Sequence, residues 1–83
     1  MKELARYNGK VTNLLAPPQP SPVVLTEVAT GKSVETTALS ETLVKEGLAT
    51  GDEFEVVIQQ SLDGSVGGIL RRKGNEEGSS FDI

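Results

Sequence analysis

Eighty-three residues leave room for one domain, close to the lower size limit for a self-sufficient core. The chain has no cysteine and no histidine, which excludes disulfides, thiolate metal sites and the commonest general base at neutral pH. The net charge of −4 is segregated: Lys2, Arg6 and Lys10 form one basic block and Arg71, Arg72 and Lys73 another, with an acid-rich middle and an acidic end between and beyond them.

Residues 4–15, LARYNGKVTNLL, read as a first strand, with Tyr7, Gly9, Val11 and Leu15 on one side of a period-2 pattern. Gly9 marks an expected bend or bulge. A hairpin centred on Asn8-Gly9 is the rival reading, and one bent strand is preferred because the flanking pieces are short. Residues 16–22, APPQPSP, form a stiff loop whose prolines fix φ and remove backbone donors. VVLTEVA (23–29) is a second strand. Gly31 supplies a positive-φ turn, and SVETTAL (33–39) returns as a third strand with Val34, Thr36 and Ala38 on one face.

The period then changes. In SETLVKEGL, Ser40 reads as the N-cap of a two-turn helix, Glu41 suits its positive end, and Gly47 followed by Leu48 completes a Schellman ending. Gly51-Asp52 turns the chain, with Asp52 placed to accept backbone N–H bonds. EFEVVIQQ is a fourth strand, with Phe54, Val56 and Ile58 inward and Glu53, Glu55 and Gln59 outward. A turn at Asp63-Gly64 leads to SVGGILRRK (65–73), a fifth strand in which Gly67-Gly68 permit coiling or close backbone approach.

The expected core holds Val11, Leu15, Val24, Leu25, Val28, Val34, Leu39, Leu43, Val44, Leu48, Phe54, Val56, Ile58, Val66, Ile69 and Leu70. The expected fold is mainly β: a five-stranded small barrel over residues 1–73, with one short helix between the third and fourth strands. Residues 74–83, GNEEGSSFDI, have the composition of a disordered acidic tail. A helix in that position is the connectivity of the OB-fold, and SH3-like barrels have a related layout. Residues 39–58 also resemble the strand–helix–Gly-Asp–strand segment of the swapped-hairpin transcription regulators and antitoxins, a resemblance that implies an intertwined, DNA-binding homodimer. The chain lacks that family's basic, proline-started strand end, so no DNA-contacting residue is carried over.

No apolar run approaches the roughly 20 residues that span a bilayer. MKELARYNGK lacks the apolar centre of a secretory signal, so a cytoplasmic protein with no membrane contact is expected. No catalytic, metal or cofactor site is expected either. Asp52, Glu53 and Glu55 are close in sequence, but exposed strand carboxylates have little reason for a shifted pKa, and the chain has no nucleophile elbow or phosphate-cradling loop.

The leading expectation is a non-catalytic binding module for a protein partner, acting as monomer or homodimer. The final Phe81, Asp82 and Ile83 resemble the acidic, hydrophobic-tipped tail with which bacterial single-stranded-DNA-binding proteins recruit partners. The alternative is single-stranded nucleic-acid or DNA binding through Arg6, Tyr7, Lys10, Arg71, Arg72 and Lys73. In SH3-like barrels the first and fifth strands can be neighbours, which would gather their cations into one patch able to hold phosphates. The tail could also fold back and screen that patch.

Overall fold

The computed structural model describes residues 2–82. In chain order the elements are β1 (Lys2–Val11), β2 (Ser21–Glu27), β3 (Ser33–Ala38), α1 (Ser40–Lys45), β4 (Glu53–Gln60), β5 (Val66–Arg72) and β6 (Ser79–Asp82). The fold is mainly β, as the alternating patterns predict. All six strands belong to one antiparallel sheet with the order β3-β2-β1-β4-β5-β6.

Two expectations are corrected. The sheet has six strands rather than five, and it does not close: β3 and β6 are both free edges. The sixth strand comes from the segment read as a disordered tail, where Ser79 to Asp82 pair with Leu70 to Gly67. Gly74, at φ +93°, begins the connection that folds this segment back. No helix of the described residues is long and apolar enough to cross a membrane.

The core lies on the side of the sheet covered by α1. Val11, Val23, Leu43, Leu48, Phe54, Val56 and Leu70 form one buried cluster, with Tyr7, Leu14, Leu25, Ala38 and Ile58 packed against it. Register explains the departures from the expected core. Val23, not Val24, pairs with Val11 and so shares its face. Val28, Val34, Leu39, Val44 and Val66 are exposed. Val57 is buried although it alternates with Phe54 and Val56 and therefore points to the opposite face; its register neighbours there are Arg6 and Ile69.

β1 is one strand, not a hairpin at Asn8-Gly9. Its irregularity falls between Glu3 and Ala5 rather than at Gly9. Gly9 instead lies under the ring of Phe54, its partner on β4, in space that a Cβ would need.

The helix ends as its sequence predicts. The Leu48 N–H donates to Leu43 C=O and the Gly47 N–H to Val44 C=O, with Gly47 at φ +74°. It starts differently. The N-cap is Leu39, with no side-chain cap, and Ser40 is the first helical residue. The buried Ser40 hydroxyl donates to Gln19 C=O instead. That proton placement leaves Ser21 to donate to Ser40 Oγ at 2.5 Å, while Ser21 Oγ accepts the Leu15 N–H at 2.9 Å. This chain of bonds fixes the proline loop to the start of α1.

The Gly51-Asp52 turn forms as expected. Asp52 accepts the Ala49 N–H at 2.9 Å, and Gly51 sits at φ +89°. Two backbone bonds, Gly51 N–H to Val11 C=O and Val11 N–H to Asp52 C=O, tie this turn to the end of β1.

Candidate functional site: a groove between the two sheet edges

Because the sheet curls without closing, β3 and β6 face each other across a groove of about 570 Å³. Its floor is Tyr7, Leu25, Val56 and Ile58. One wall is Thr36, Ala38 and Leu39, and the other is Ser79, Phe81 and Asp82. The lining is predominantly apolar, and among the described residues Asp82 is its single charged one. Leu39 and Phe81, on opposite walls, remain 67% and 39% exposed. The volume lies within the range of about 300–1,000 Å³ typical of binding clefts.

Phe81 and Asp82, expected on a free tail, are thus built into a wall. Phe81 lies across Gly68, its partner on β5, in space that a Cβ on Gly68 would occupy. Coiling or close approach of another backbone is expected at Gly67-Gly68; at Gly68 the approaching group is an aromatic side chain. Ser79, at the other end of β6, donates to Glu46 just beyond α1 at 2.7 Å. Ile83 lies outside the described residues.

The basic residues of β1 and β5 do not come together as neighbours. β1 and β5 are not neighbours, because β4 runs between them and brings its carboxylates. Glu55 bridges Arg6 and Arg71, with one oxygen 3.4 Å from Arg6 Nη1 and the other 3.1 Å from Arg71 Nε. Glu53 receives Lys73 at 3.0 Å and stands opposite Lys10 in the register. Arg6 also binds Glu3 at 2.7 Å. This bond holds the Glu3 carboxyl below its ordinary value and pushes the Arg6 guanidinium up.

Strand alternation separates the other two members. Tyr7 and Arg72 fall on the face of Phe54, opposite Arg6, Lys10 and Arg71. The aromatic and most of the cations therefore point to opposite sides of the sheet. The tail does fold back, but onto the backbone edge of β5. Its bonds to the basic triplet use main-chain groups of the tail: the Asn75 N–H donates to Arg72 C=O at 3.0 Å, and Arg71 Nη1 donates to Glu76 C=O at 3.4 Å.

A groove of this kind could have been anticipated only from knowledge that Ser79–Asp82 form a strand. The one local signal was Gly67-Gly68, which marks where another chain segment approaches. Comparison of the chain with family models, curated proteins and solved structures finds no match.

Proposed function

We propose that this protein is a non-catalytic interaction module whose groove takes an extended, largely apolar segment of a partner protein. The observation that carries this reading is the groove itself, an apolar trough between two strand edges with Leu39 and Phe81 exposed on its opposing walls. An extended segment can supply alternate side chains to the floor, while its backbone meets the edge groups of β6. Asp82 favours a cation at the segment's end. In this reading Phe81 and Asp82 serve as parts of a wall rather than as a mobile hook. The helix between β3 and β4 supports describing the sheet as an opened relative of the OB-type layout.

Linear peptides selected from a random displayed library against the full chain test the proposal. Backbone amide shifts should move at Tyr7, Thr36, Ile58 and Phe81, and Phe81→Ala should weaken binding. Selected peptides that map to the face carrying Glu55 and Arg71 would overturn it. Tight, steeply salt-dependent binding of an oligothymidine on that same face would favour the nucleic-acid reading instead.

A further inference from the structure

The two free edges of the sheet are not alike. β6 is four residues long and carries Asp82, which are common protections against pairing with another chain. β3 has six residues, Ser33 to Ala38, of which the first five are exposed. It has no proline, no lysine and no recorded bulge, and Val34, Thr36 and Thr37 are β-branched. Glu35 is its one charge.

The direction of its free backbone groups follows from its neighbour. Pro22 C=O accepts the Thr12 N–H on the β1 side, whereas the Glu27 N–H donates to Lys32 C=O on the β3 side. Within an antiparallel ladder these directions alternate by residue. Across the β2–β3 register, Val34, Thr36 and Ala38 therefore bond to β2, and Ser33, Glu35 and Thr37 direct both N–H and C=O outward.

We propose that β3 is an interface between two copies of this chain, joined antiparallel about a two-fold axis at Thr36. A symmetric pairing must place groove-side residues opposite groove-side residues and outward-bonding residues opposite outward-bonding residues. Centring it on Glu35 would set two carboxylates face to face. Centring it on Thr36 meets every condition: Glu35 bonds to Thr37 of the second copy, and Thr37 to its Glu35. Val34 lies opposite Ala38. The contact covers the exposed Val34 and lays the two grooves side by side.

Because the native chain has no cysteine, one introduced thiol reports the geometry. Thr36 meets Thr36 as a non-hydrogen-bonded pair, with Cβ atoms about 4.5–5.5 Å apart. Full-length Thr36→Cys should form a covalent dimer under mild oxidation at least tenfold faster than Glu35→Cys or Thr37→Cys. In sedimentation, the wild-type mass should rise toward that of a dimer with concentration. Thr37→Pro should abolish the rise, because it removes an outward N–H and leaves the β2–β3 bonds intact. The proposal is overturned by a wild-type chain that stays monomeric at millimolar concentration. It is equally overturned by a dimer that survives in folded Thr37→Pro, or by cross-linking as fast at residue 35 or 37 as at 36. None of these readings depends on a peptide entering the groove.

Discussion

The ring of Phe54 lies across Gly9 on the neighbouring strand, and the ring of Phe81 lies across Gly68 in the same way. The two pairs differ in burial: Phe54 is 1% exposed and Phe81 is 39% exposed. A methyl group at residue 9 has nowhere to go, because the Phe54 ring is held by the core on its other side. Gly9→Ala should cost about 1–3 kcal/mol, the usual range for overpacking. Gly68→Ala should cost less, because Phe81 can swing toward solvent. Urea denaturation of the two variants checks the order, and equal losses would contradict it.

Glu55 separates two guanidinium groups. Replacing it with Gln leaves Arg6 and Arg71 facing each other across β4 without the charge that joins them. The stability loss should be small, about 0.5–1 kcal/mol, since these side chains are only partly buried. The change in surface charge should be the larger effect. Glu55→Gln should elute later from heparin at low salt than the wild type, and the difference should vanish as salt rises.

Ser21 and Ser40 act as a pair. Ser40→Ala removes the donor to Gln19 and the acceptor for Ser21 in a buried site, and should cost about 1–3 kcal/mol. The double variant with Ser21→Ala should lose clearly less than the sum of the two single losses, because each single change already breaks the shared bond. Thermal melts of the four proteins measure the coupling, and strict additivity would show that the hydroxyls do not interact.

Acid should weaken the fold in a definite window. Asp63 accepts the Ser65 N–H at 3.0 Å and its hydroxyl at 2.7 Å, and these bonds hold its carboxyl below the ordinary value. Arg6 does the same for Glu3. A carboxyl depressed in the folded state is deprotonated more readily there than in the unfolded chain. Its contribution is thus complete above the ordinary carboxylate range and is lost as pH falls through the depressed value. Asp63→Asn keeps an acceptor oxygen but cannot titrate. A plot of urea midpoint against pH should therefore fall less steeply on the acid side in this variant, with little change near neutrality.

The features legible in the sequence are those whose causes lie within a few residues. Gly47 and Leu48 end the helix by bonds that reach back three and five positions, and the turns at Asp52 and Asp63 close on residues two or three away. Gly9 and Gly68 each mark a special backbone site. The reason, a ring from another strand, depends on a register that no local pattern contains. Ser40 has the chemistry of a cap, but Gln19 and Ser21 claim its hydroxyl from the far side of the proline loop. Val57 alternates with core residues and so reads as outward; cross-strand neighbours bury it. The separation of the two cationic strands is hidden for the same non-local reason. Strand composition does not encode strand order, and β4 lies between the two cationic strands.

Tyr7 forms part of the groove floor, and the chain contains no tryptophan and no second tyrosine. Ultraviolet emission above the phenylalanine background therefore comes from a single phenol at the place where a guest would lodge. If the groove takes a guest as proposed, a ligand free of tyrosine and tryptophan that dries or crowds that ring should alter its brightness and so report binding optically.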